Sequence, residues 1–183
     1  MTQQRRYPDM WVDPEDDPRE AETNARGEKA VLAEYLDHYR KTLEMKCDGL
    51  DAEQLARRSV PPSTMSLLGL VRHMAAVEHS WFQRQMQAKD EPRLFGKNED
   101  RDADFNEAVA DQAVVDEAFA TWREQIAAAD AFYEGVDDLG ATVDLDGHEV
   151  EIRDIVVHMI EEYARHCGHA DLLRECIDGR TGQ

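Results

Sequence analysis

The sequence has no run of about 18 apolar residues, so it holds no helix able to span a bilayer. Cysteine is scarce. Cys47, Cys167 and Cys176 are too few and too irregularly spaced for a disulfide framework, which fits a reducing interior. Basic residues are also short in number: 21 lysines and arginines face 40 acidic residues, for a net charge of −19. Phosphate contacts need concentrated positive surface, so this balance excludes a general nucleic-acid binder and disfavours docking on anionic membranes. Met1 to Trp11 holds two arginines but no apolar stretch behind them, so it is not a secretory signal. The expectation is a soluble, cytoplasmic protein. No segment repeats at a fixed period, and no tract is low in complexity.

What is present is enough for one domain with an extension: 183 residues, 42% apolar and 33% charged. Residues 1–26 hold three of the six prolines and seven acidic residues, and read as an extended arm because proline fixes φ and removes a backbone donor. Tyr7, Met10, Trp11 and Val12 form an apolar cluster there, so the arm is expected to dock on the body through Trp11. Residues 27–180 carry four strongly helical segments. The first, Glu28 to Leu50, has Leu32, Tyr35, Leu36, Tyr39 and Leu43 at three-and-four spacing. The second runs from Met65 to Ala88, with Ser63 or Thr64 as its cap. The third spans Val114 to Val136. The fourth runs from Ile152 or Arg153 to Asp178 and ends before Gly179. An acidic connection at 89–111 has Leu94, Phe95 and Phe105 as anchors, and Asp146-Gly147 predicts a small β-hairpin before the last helix. The pattern defines an all-α four-helix bundle.

At about 100° per residue, Ile155, Met159, Ala170, Leu173 and Ile177 of the last helix face the core. Glu162 and His166 fall in the middle of that stripe. An ionised carboxylate in an apolar interior costs several kcal/mol (order ~1–5) unless it is paired or metal-bound. Glu162 and His166 are one turn apart, which places both side chains on one face as two ligands. They can equally form a buried hydrogen-bonded pair. A third ligand must come from another helix, and "GLVRHMAAVEHSWF" supplies His73 beside Leu70, Val77 and Trp81. One carboxylate and two imidazoles with a vacant position is a common open site for a catalytic divalent metal. His158, one turn before Glu162, is expected in a second layer or at the rim, and His79 is expected on the surface. No Glu-x-x-His occurs in the chain, which excludes a di-iron carboxylate bundle.

The stretches "RRSVPPSTMSLLGLVRHMAAVEHSWFQRQM" and "VVHMIEEYARHCGHADLLRECIDG" resemble the DinB-like (YfiT-like) superfamily, in particular an actinobacterial branch catalogued as a domain of unknown function. The resemblance covers residues 27–180. In that superfamily a second-helix histidine and a His-x-x-x-His pair on the fourth helix bind a divalent metal. His73 and His166 match two of these positions. Glu162 stands in place of the third, as glutamate does in the mycothiol-dependent maleylpyruvate isomerases. His169 replaces a glutamine and is expected to line the site with His158 and Trp81.

The resemblance implies a metal-dependent thiol S-transferase that joins mycothiol, or a similar low-molecular-weight thiol, to electrophiles. Zinc is the first choice of metal, with nickel, iron or manganese as alternatives. A thiol-dependent isomerase of the maleylpyruvate type and a non-catalytic metal-binding interaction or stress protein are the other readings. Cys167 points about 100° away from His166 and receives no catalytic role. The implied partners are a small-molecule thiol and an electrophile, without nucleic acid or membrane. A homodimer is expected through the arm and the 89–111 connection.

Overall fold

Local sequence sets where each helix begins. In the computed structural model, which describes residues 6–7, 9–20, 25–96 and 100–182, helix α1 is Glu28–Cys47 and follows Gly27. Asp51 opens the short α2, Ala52–Ala56, through a capping box with Gln54. Ser66 accepts from the Gly69 amide and starts α3, Leu67–Glu78. The cap is therefore Ser66 and neither Ser63 nor Thr64, because only Ser66 directly precedes the helical backbone. The chain then widens to π geometry over His79–Gln85, marked by the Met86 amide donating to the Trp81 carbonyl. A single turn, α4, Ala103–Asn106, lies in the acidic connection. Asp111 caps α5, Gln112–Glu134. Strands β1, Thr142–Leu145, and β2, His148–Glu151, pair antiparallel around Asp146-Gly147, both at positive φ as such a turn requires. Helix α6 is Ile152–Asp178 and stops at Gly179 in the left-handed conformation.

The four long helices form the expected bundle, in which α1 packs on α6 and α3 on α5, while α3 also meets α6. Their apolar stripes fill one core that includes Leu43, Leu68, Met74, Phe82, Trp122, Met159 and Leu173. Tyr35 departs from the expected stripe: it is 57% exposed, because it lies at the edge of the face that Leu36 and Leu43 bury. Inside this core sits a polar chain. Glu78 takes two hydrogen bonds from Arg40 and one from the Tyr163 hydroxyl, which itself accepts from the Trp122 indole. It links α1, α3, α5 and α6.

Trp11 docks as expected and is buried. Its ring is surrounded by cations: Lys46 Nζ lies 3.9 Å, Arg180 Cζ 3.8 Å and Arg174 Cζ 5.1 Å from its centroid. The arm also makes a 3₁₀ turn at Pro14–Asp16, where an extended course was expected. Pro8 of that segment lies outside the described residues.

Candidate metal centre

α3 and α6 bring His73, Glu162 and His166 together. One possible ligand atom from each lies within 4.8 Å of the other two. Glu162 Oε2 and His166 Nε2 are 3.5 Å apart. That is long for a hydrogen bond. It is close to the ~3.4 Å edge of a tetrahedron whose bonds are about 2.1 Å. The His73 and His166 rings meet edge to face with centroids 4.7 Å apart. All three side chains are partly or fully buried, His166 the most.

Each histidine has one ring nitrogen already engaged. His73 Nδ1 lies 2.7 Å from Asp104 Oδ2, and His166 Nδ1 shares a 3.3 Å hydrogen bond with His169 Nδ1. His73 Nδ1, facing a carboxylate, must donate, which leaves its Nε2 lone pair free, while His166 Nε2 faces Glu162. Fixing one nitrogen of an imidazole by a carboxylate or a neighbour sets the tautomer and orientation that a metal needs. Burial, and next the nearby His73 and His169, push His166 down to about 4, so it is a neutral imidazole at neutral pH. A divalent ion thus fits the donor set, the spacing and the tautomer that Asp104 sets at His73.

Asp104 is a functional candidate that the helix pattern missed. It reaches His73 because α4 lies close on α3 at Gly69. A Cβ there would come within 2.7 Å of Phe105 Cδ1. Phe105 in turn stacks on His73, with centroids 5.2 Å apart and planes at 30°. The signal is faint, one Asp among several in an acidic connection, followed by an aromatic anchor.

The expected flanking residues are at the site. His158 Nε2 lies 3.5 Å from Glu162 Oε1, and its ring meets Trp81 at 4.7 Å. His169 touches His166. His79 is not on the surface. It is buried, with Nε2 2.8 Å from Glu91 Oε2, because the segment after the π turn folds back over it. Cys167 donates to the Tyr39 carbonyl, away from the centre, and burial raises its thiol to about 12. A cavity of about 200 Å³ adjoins the centre and is lined by His73, Asp104 and Trp81. Two larger clefts, of about 820 and 680 Å³, are lined by parts of α1 and α5 and contain none of these side chains. The chemistry, not the size of the opening, marks the site.

The fold and this His, Glu, His arrangement define a helical-bundle protein of DinB-like type. The sequence profile of mycothiol S-transferases matches residues 31–179, and the chain belongs to that family. Among solved structures, a conserved protein from Enterococcus faecalis is similar, with a TM-score of 0.59 and 16% identity over 85% of this chain and 99% of that one. At that identity the likeness shows the fold. No curated protein matches the sequence.

Proposed function

We propose that this chain is a metal-dependent S-transferase for a low-molecular-weight thiol of the mycothiol type, with His73, Glu162 and His166 as ligands to one divalent ion. Zinc is the first choice, and nickel, iron and manganese are the alternatives. The observation that carries the reading is the convergence of the three donors within 4.8 Å, with His73 already oriented by Asp104. Family membership supports the thiol and the transfer reaction.

A bound divalent ion supplies one thing here: it stabilises the anionic form of a thiol and so supplies a nucleophile at neutral pH. The chain's own groups do the rest. Asp104 holds the His73 ring, and burial keeps His166 unprotonated. Glu162 contributes the negative charge that balances a cation. Phe105 covers one face of His73, while Trp81 and His158 wall the approach past Glu162. In the transfer the thiol loses its proton to solvent, its sulfur forms a bond to the electrophilic carbon, and the leaving group departs with that carbon's former bonding pair. No protein thiol is consumed.

We place the protein in a reducing compartment, consistent with cysteines that are all free. A homodimer through the arm and the 89–111 connection is part of the proposal; within its own chain Trp11 packs against cations and Phe95 lies under Arg72.

The test is metal analysis of protein purified without a histidine tag, followed by conjugation of thiols to a model electrophile. About one divalent ion per chain is expected. His166→Ala should lose both metal and activity, by ~100-fold or more, because it removes a ligand outright. Cys167→Ser should keep both. Loss of turnover in the Cys167 variant with retention in the His166 variant would show protein-thiol chemistry and sink the proposal. Full metal occupancy without conjugation of any thiol would favour a structural ion.

A further inference from the structure

The cavity next to His73 has an electrostatic character opposite to that of the whole molecule. Three arginines line it, Arg84, Arg93 and Arg101. In a chain of net charge −19 an arginine finds a carboxylate easily, and eight of the described arginines do. The guanidinium groups of Arg84, which is half-buried, and of Arg93 and Arg101, which are exposed, have no hydrogen bond or ion pair among the described residues, and Arg84 Nε is buried without a partner. The nearby carboxylates are engaged elsewhere. Asp104 holds His73, and Glu91 holds His79. Arg72, by contrast, donates through Nε and Nη2 to the Asp104 and Ala103 carbonyls and to Glu107. The one carboxylate that lines the cavity, Asp104, is spent on His73 Nδ1 and the Phe105 amide, so the guanidinium groups gathered there are donors awaiting an acceptor-only group.

We propose that this cavity is an oxyanion site for a small carboxylate- or phosphate-bearing molecule, held by Arg84, Arg93 and Arg101. Its volume of about 200 Å³ is below the ~300–1,000 Å³ of sites for drug-sized ligands, so it suits one end of a small molecule. Planar guanidinium forks bind carboxylate and phosphate in pairs of hydrogen bonds, which a neutral group cannot match. His73 and Trp81 border both this cavity and the metal centre. An anion anchored here extends its other end toward the reacting sulfur. The inference thus deepens the S-transferase reading by giving the electrophile a class, an electrophile carrying an oxyanion. It rests on that reading for the reaction and on the arginines alone for the binding.

The experiment measures binding of succinate and of inorganic phosphate to metal-free full-length protein by calorimetry, with neutral succinamide as the control. Saturable binding of at least one anion, and none of succinamide, is expected. Arg84→Gln and the more exposed Arg93→Gln should each weaken it about tenfold or more, the loss of a charge-assisted hydrogen-bonded pair. Arg26→Gln, which removes an exposed arginine just before α1, should leave it unchanged. Preference for succinate or for phosphate identifies the source of the oxyanion. Absence of saturable binding, or equal binding in the two cavity variants and the wild type, overturns the site. Binding that appears only with zinc and vanishes in His166→Ala also overturns it, since the anion would then be a metal ligand, and the metal reading would stand. Failure of the metal reading shows separately, as intact anion binding in a protein that takes up no ion.

Discussion

At the scale of single residues, Asp104 tests whether the centre is built or accidental. Its carboxylate holds His73 Nδ1 at 2.7 Å and accepts from the Phe105 amide through its other oxygen. Asp104→Asn keeps the volume but removes the charge that fixes the imidazole. Zinc affinity should fall by about 10–100-fold, read by competition against a chelator of known strength. An unchanged affinity would mean that Asp104 supports α4 and not the ion. His166 gives a second prediction, for the metal-free protein. Burial holds it at about 4 in the folded state against an ordinary 6.5. Between those values the unfolded chain binds a proton that the folded chain refuses. The contribution to stability is therefore fully present above pH 6.5 and is lost as pH falls toward 4. It amounts to at most roughly 3 kcal/mol. Urea midpoints of the wild type should drop more steeply from pH 7 to pH 4 than those of His166→Gln, and parallel curves would refute the assignment.

At the scale of elements, Gly69 controls how near α4 sits to α3. An alanine there would press its Cβ to 2.7 Å from the Phe105 ring and 3.3 Å from the Phe105 Cα. Phe105 must yield, and Asp104 next to it retreats from His73. Alanine is also a better helix former than glycine by about 1 kcal/mol, which offsets part of the clash. Gly69→Ala should thus lower zinc affinity about tenfold through the weakened Asp104 contact while thermal stability changes little. Equal affinity, measured by the same chelator competition, would break the link between helix spacing and site. This pair of elements also shows what sequence could and could not reveal. Glu162 and His166 were legible because helical periodicity put them on an apolar stripe, where charge demands a reason. The hairpin was legible because Asp146-Gly147 tolerates the positive φ of its turn. Asp104 was not, since it comes from a single turn 31 residues beyond its partner, among other acidic residues. His79 was misplaced for two reasons. Its helix changes to π geometry there, which breaks the 100° phase, and Glu91 covers it from a segment without periodicity. The three cavity arginines are drawn from the π turn and the acidic connection, where spacing carries no information about convergence.

At the scale of the whole molecule, the bundle is organised around a buried charge. Glu78 is fully buried, Arg40 nearly so, and their double hydrogen bond of 2.7 and 2.8 Å joins α1 to α3. Tyr163 and Trp122 extend the chain to α6 and α5, and Asp130 binds the remaining Arg40 nitrogen from α5. Burial, and next the proximity of Glu78, raise the Tyr163 hydroxyl well above its ordinary range, so it stays protonated and donates. Taking both charges out of water costs about as much as their attraction returns, so the pair is not a source of net stability in itself. Breaking it is another matter. Glu78→Ala leaves Arg40 buried with only Asp130 as counter-charge and opens a cavity beside Tyr163. It should cost on the order of 3–5 kcal/mol in urea unfolding. The double variant Arg40→Met with Glu78→Leu removes the stranded charge and refills the space. It should recover more than half of that loss. A single variant within about 0.5 kcal/mol of wild type would show that water reaches Arg40 and that the network is not closed. A double variant as unstable as the single would show instead that the helices need these polar contacts for their register.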